Sequence, residues 1–193
     1  MPRRYASSFA VAALALAVLA GCTPTEVDGT PTTAPTDGTG QTSTPTPAPT
    51  DQPIGTPIDA TCDQLVSADT LFVYNPNFGP IDDFAPPVGS PAATAVSYGG
   101  VACRWQNQTS GDNIDISVAQ LDENSLTALK NQAFDESEMV PTYGDEAYFT
   151  VADGVGVAQV FQGSFWIVAA SPVFFEPGDA TEVINSVIAA LGQ

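Results

Sequence analysis

Apolar and polar residues alternate most cleanly at Ile114, Ile116 and Val118, which are separated by Asp115 and Ser117. A period of two predicts a half-buried strand. Val101, Cys103 and Trp105 alternate in the same way with Ala102, Arg104 and Gln106, and the polar turn chemistry of residues 107–113 joins the two runs into a hairpin. Three more strands are expected over residues 147–151, 155–161 and 164–170, punctuated by Asp153-Gly154 and Gln162-Gly163. Helical spacing appears at three places. Cys62, Leu65 and Val66 follow Thr61 as a possible N-cap, in a short helix that extends toward Phe72. Residues 122–134 place Leu126, Leu129 and Ala133 on one face. Val183, Ile184, Val187, Ile188 and Leu191 form the stripe of a C-terminal helix that starts at a capping-box-like Asp179 and Glu182. Residues 74–100, rich in Pro and Gly, read as a long loop. The predicted order is α-β-β-α-β-β-β-α. This is an α+β domain, an antiparallel sheet with helices packed on one face. Two-residue turns exclude a wholly parallel sheet.

Ahead of this domain the pattern disappears. Residues 23–57 are dominated by Thr, Pro, Gly and acids, with Val27 and Ile54 the only large apolar side chains. So little apolar surface does not offset chain entropy, and a disordered linker is expected. At about 3.1 Å per residue such a Pro-rich segment spans at most roughly 100 Å. It reads as a tether, and its threonines are also suited to carry sugars.

Before the tether, Arg3 and Arg4 precede an apolar run from about Phe9 to Ala20 that ends in Leu19-Ala20-Gly21-Cys22. That is the layout of a secretory signal peptide. The run is short of the roughly 20 residues a membrane span needs. The last four residues resemble the lipobox of bacterial lipoproteins, in which the cysteine becomes the acylated first residue of the mature chain. The resemblance implies lipidation at Cys22, palmitate being the expected kind of chain. It also implies a location on the extracytoplasmic face of the cell membrane. Arg3-Arg4 leaves a twin-arginine route open beside the general one, although Tyr5, Ala6 and Ser7 lack the usual apolar pattern. The expected divisions are therefore a signal peptide over 1–21, the lipidated Cys22 and tether over 22–57, and a globular domain over 58–193.

Charge narrows the partners. The chain has 4 basic and 22 acidic residues and a formal net charge of −18. Without Arg3 and Arg4, only Arg104 and Lys130 oppose the 22 acids, a net charge of −20. Such a surface repels phosphate backbones, so no nucleic-acid partner is expected. Membrane attachment has to come from acyl chains rather than a basic patch. The acidity suits a cationic partner or Ca²⁺, and equally a soluble face that resists aggregation. With Cys22 taken by lipid, the three cysteines leave one pair, and in an oxidising compartment that pair reads as a Cys62–Cys103 disulfide.

Catalytic chemistry is mostly excluded by composition. The chain has no histidine. His-dependent triads and His-ligated zinc are out, two bonded cysteines leave no thiolate ligands, and no phosphate-binding Gly-Lys loop occurs. No cofactor and no metal site is expected, and no residue is assigned a catalytic role. Carboxylates remain: Asp82-Asp83, Asp145-Glu146, and Asp135, Glu136 and Glu138. An acid pair can hydrolyse glycosides, but neighbours on one strand face opposite sides. The segment Asn75 to Gly79 with Asp82-Asp83 lacks EF-hand spacing. Thr127 and Lys130 lie one helical turn apart, and Lys130 reads as an exposed helix lysine. Phe165, Trp166, Phe174 and Phe175 read as core and rim rather than as a ligand cage.

Cys62-Asp63-Gln64-Leu65, Gly100-Val101-Ala102-Cys103-Arg104-Trp105 and Gly144-Asp145-Glu146-Ala147-Tyr148 together resemble small actinobacterial lipoproteins of unknown function. They are also similar to extracytoplasmic sensor-type domains. The resemblance covers about 59–193. It implies an α+β fold and the Cys62–Cys103 bridge, and it carries no activity. The expectation is a membrane-anchored lipoprotein, not an enzyme, whose tethered domain binds a ligand, an envelope component or a protein partner. The alternatives are a structural or accessory envelope protein without a small ligand and, in the enzyme class, an acid-pair hydrolase.

Overall fold

The alternating runs pair as adjacent antiparallel strands. The computed structural model describes residues 55–192. The expected signal peptide, Cys22 and most of the expected tether lie outside the described residues. The elements in chain order are β1 (Gly55–Thr56), α1 (Cys62–Leu65), α2 (Ala68–Tyr74), β2 (Phe78–Ile81), α3 (Pro91–Ser97), β3 (Val101–Asn107) and β4 (Asn113–Leu121). They continue with α4 (Glu123–Glu136), β5 (Glu138–Met139), β6 (Glu146–Ala152), β7 (Val155–Gln162), β8 (Phe165–Ser171) and α5 (Pro177–Ala190). One eight-stranded sheet runs β2-β3-β4-β8-β7-β6-β5, with β1 alongside β4. Every pairing is antiparallel.

The α+β class holds, but the helices do not share one face. Ile114, Ile116, Val118, Val160 and Ile167 point to a core closed by Leu65, Leu71, Val183, Ile184 and Val187 of α1, α2 and α5. Leu121, Tyr148, Phe161, Trp166 and Val168 point the other way, to a second core under α3 and α4 that includes Ala95, Ala133, Leu126 and Leu129. The reason lies in β8, whose central residues Trp166, Ile167, Val168 and Ala169 are all buried. A central strand that is apolar on both faces has to be covered on both.

The 74–100 loop is also corrected. It contains the edge strand β2 and the helix α3. The α3 start is set by Ser90, whose side chain accepts from the Ala93 N–H, and by Pro91 at the first helical position. The fold also begins earlier than Ile58. Gly55 and Thr56 pair with Leu121 and Gln120. A Cβ on Gly55 would sit 2.1 Å from the Tyr98 carbonyl oxygen, so only glycine lets β1 approach this closely.

Cys62 and Cys103 form a disulfide that fastens α1 to β3, with Cα atoms 5.6 Å apart. Closing a loop of 41 residues is worth about 4 kcal/mol in the chain-entropy picture. Among the described residues no helix is long and apolar enough to cross a membrane.

Candidate functional site

A concavity lies where α4, β5, β6 and the start of α5 meet, with the exposed Met139, Val151 and Phe175 among its lining residues. It is a cleft of about 630 Å³ lined by residues 136–140, 149–151 and 175–177. Three local features shape it. First, α4 ends at Ser137 and the chain enters β5, whose pairing with β6 covers Glu138↔Phe149 and Met139↔Tyr148. The Val140 N–H donates to the Ala147 carbonyl at 2.8 Å and extends that pairing by one residue. β6 runs on to Ala152, so its last residues have β7 on one side and the cleft on the other.

Second, Phe174 is buried at 1% exposure while Phe175 stands out at 78%. The Phe174 carbonyl would lie 2.1 Å from a Cβ on Gly156, so a glycine in β7 allows this segment to press onto the sheet. Third, the buried Tyr143 donates from its hydroxyl to the Pro177 carbonyl and ties the segment after β5 to the start of α5. Burial pushes the Tyr143 phenol pKa up, which keeps it a proton donor.

The cleft lining is mixed, with apolar side chains beside polar and acidic ones. Val140 and Phe149 are buried in its floor, while Met139 is 62% and Val151 is 50% exposed. Glu136, Glu138 and Glu176 line it, and no lysine or arginine does. The positive end of α5 is already used: the Asp179 carboxylate accepts the Phe175 and Glu176 N–H groups at 2.8 and 3.1 Å. This capping starts the helix at Pro177, one turn before the expected Asp179–Glu182 box. Ser137 Oγ is buried in the cleft wall and has no hydrogen-bond partner among the described residues.

Of the carboxylates singled out in the sequence, Glu136 and Glu138 share the cleft, and Asp82-Asp83 and Asp145-Glu146 lie elsewhere. Asp145 accepts from the Gly163 N–H at 3.1 Å and pins the β7–β8 turn. Glu146 pairs with Lys130 at 2.8 Å and accepts from the Tyr148 hydroxyl at 2.7 Å. Lys130 is thus half-buried against the sheet, with its ammonium 5.6 Å from the Phe161 ring centre, rather than a free surface lysine. The Thr127 hydroxyl is turned away to the Glu123 carbonyl.

Asp82 and Asp83 line a separate hollow of about 350 Å³ with Asp63, Phe84 and Arg104. Arg104 is committed elsewhere: it holds Asp115 through two 2.6 Å bonds, and its guanidinium lies 4.2 Å from the Phe84 ring centre. The Asn75 side chain closes its own turn by accepting from the Asn77 N–H at 3.0 Å. Among the described residues, no three carboxylates or cysteines gather in a group able to hold a metal ion.

Of Phe165, Trp166, Phe174 and Phe175, Trp166 is buried and donates to Gln159 at 3.2 Å, Phe165 packs beside the core, Phe174 is buried, and Phe175 lines the cleft. The cleft was not foreseen as a unit, because its walls come from four elements whose adjacency depends on strand order. Comparison with known proteins adds nothing: no family model, curated protein or solved structure matches the chain.

Proposed function

We propose that the chain is a lipid-anchored extracytoplasmic lipoprotein whose domain is a binding module, and that the cleft between β5, β6 and α5 is its binding surface. The observation that carries the reading is Phe175. Phe175, at 78% exposure, lines the same concavity as Val151 and Met139, while its neighbour Phe174 is fully packed. Exposed aromatic and aliphatic side chains that converge on a hollow are the usual composition of a recognition surface. The volume suits one or two side chains of a partner or a small ligand. Acyl chains at Cys22 and a tether of some 35 residues would hold such a module near envelope partners.

The test is photo-crosslinking in the native envelope, with the crosslinking residue at Phe175 and, as a control, at the exposed Val88. A discrete adduct at Phe175 that is absent at Val88 supports the reading. Equal or no adducts at the two positions reject it. In the same cells, Cys22→Ala is expected to move the protein from the membrane fraction to the soluble fraction. An alanine variant that stays membrane-bound would show that the first segment is a signal anchor.

A further inference from the structure

The backbone along the cleft points to its occupant. In an antiparallel ladder, successive residues alternate in the neighbour to which they direct their N–H and C=O. On β6, Ala147 takes the Val140 N–H, so Ala147, Phe149 and Val151 direct their main-chain groups to the β5 side. β5 begins only at Glu138, where the chain leaves α4 through Ser137. Val151 therefore presents an N–H and a C=O to the place where a longer β5 would lie, at the cleft itself. Main-chain recognition by strand addition needs such an open edge beside pockets for alternate side chains.

Charge then selects the kind of strand. Glu136, Glu138 and Glu176 rim the cleft with no cation to balance them. Both described cations are engaged elsewhere, Arg104 with Asp115 and Lys130 with Glu146. Asp179 already occupies the N-terminal N–H groups that would draw an anion to α5. A second copy of this chain, and its own tether with Glu26, Asp28, Asp37 and Asp51, carry the same sign as the rim. Anionic headgroups do too.

We propose that the cleft takes an extended segment of a basic partner protein. The segment pairs its main chain with Val151, rests an apolar side chain between Phe149 and Phe175, and sets lysine or arginine among the three glutamates. This rests on the binding-module reading above.

The test uses the isotope-labelled full-length chain and a capped peptide of alternating lysine and leucine. A glutamate–leucine peptide and phosphatidylglycerol vesicles are the controls. The lysine peptide is expected to shift the amides of residues 150–152 and 175. Its affinity should fall at least tenfold between low and high salt. Val151→Pro removes the outward N–H without touching the bonds to β7 and should weaken binding tenfold or more, whereas Val151→Ala should cost threefold or less. Glu136→Gln with Glu138→Gln should weaken binding and flatten the salt dependence, which keeps the test valid should the proline variant fail to fold. Shifts spread over the whole surface and indifferent to these variants would overturn the inference. So would equal binding of the glutamate peptide, or vesicles that shift the same amides. If the peptide fails while Phe175 still gives its discrete adduct, only the choice of occupant falls. If both fail, the binding-module reading falls with it.

Discussion

The Lys130–Glu146–Tyr148 chain shows what single residues contribute. The Lys130 ammonium, helped by the Tyr148 hydroxyl, holds the Glu146 carboxyl below its ordinary value of 4.5. Burial, together with the hydrogen bond to Glu146, pushes the Tyr148 phenol up to about 12. The two shifts act at opposite ends of the pH scale. A depressed carboxyl stabilises the fold above its unfolded value, and that contribution is lost as pH falls through the folded one. A raised phenol stabilises below its unfolded value near 10, and the contribution is lost as pH climbs toward 12. Both members of the ion pair are about 30% exposed, so screening holds its worth to roughly 0.5–1 kcal/mol. Glu146→Gln should lower stability by about that amount at pH 7 and flatten the loss that sets in as pH falls through and below 4.5. Tyr148→Phe should instead blunt the alkaline loss. Urea unfolding across pH checks both, and a Gln variant with the wild-type acid slope would show that the pair does not couple to folding.

At the scale of elements, α5 depends on its start as much as on its stripe. Val183, Ile184 and Val187 are fully buried, each worth about 1.5–3 kcal/mol. The register that buries them is fixed by Pro177 and by Asp179 on the two N–H groups before it. Asp179→Ala should cost about 1 kcal/mol. Glu182→Ala, exposed one turn later, should stay within about 0.5 kcal/mol. Chemical denaturation separates them, and the reverse order would place the cap where the sequence pattern alone puts it. The 3.6 spacing was sufficient for the helix stripe but not for its first turn, because a cap is a matter of which side chain reaches which N–H. The same limit explains β2. Phe78-Gly79-Pro80-Ile81 contains both residues that argue against a strand, and it survives as one because an edge strand leaves one side of its main chain unpaired. Ser90-Pro91 did carry a helix-start signal, masked by the Pro and Gly around it. The two-faced packing was also readable, from the six consecutive apolar residues Phe165 to Ala170 in β8. The cleft was not. Val151 and Phe175 lie 24 positions apart in the chain and meet only through the order β7-β6-β5 and the entry into α5.

For the molecule as a whole the governing quantity is charge, with 22 acids against 4 bases in the chain. Self-repulsion of that size opposes compaction, and mobile ions relieve it. The fold spends its described cations on single acids, Arg104 on Asp115 and Lys130 on Glu146, and leaves the other described acids without an ion pair. Hard cations take oxygen ligands, but a tight site needs several converging on one point. Asp82 and Asp83 share a hollow with Asp63 and with Arg104, whose positive charge competes with any ion there. Stability should therefore rise smoothly with added salt. Ca²⁺ and Mg²⁺ should act alike at equal concentration, and a chelator should leave the melting temperature nearly unchanged at physiological salt. A specific site behaves otherwise. It stabilises by RT ln(1 + [L]/Kd), about 2.7 kcal/mol at a hundred times Kd, and it prefers one ion over the other. Calorimetry and thermal melts in matched NaCl, MgCl₂ and CaCl₂ decide between the two. One stoichiometric Ca²⁺ at micromolar affinity would reject the diffuse account and make Asp82→Asn with Asp83→Asn the next variant to measure. A common curve for both divalent ions would show that the acidic surface acts as a field. Such a field attracts cations of every kind at long range and fades as added salt screens it.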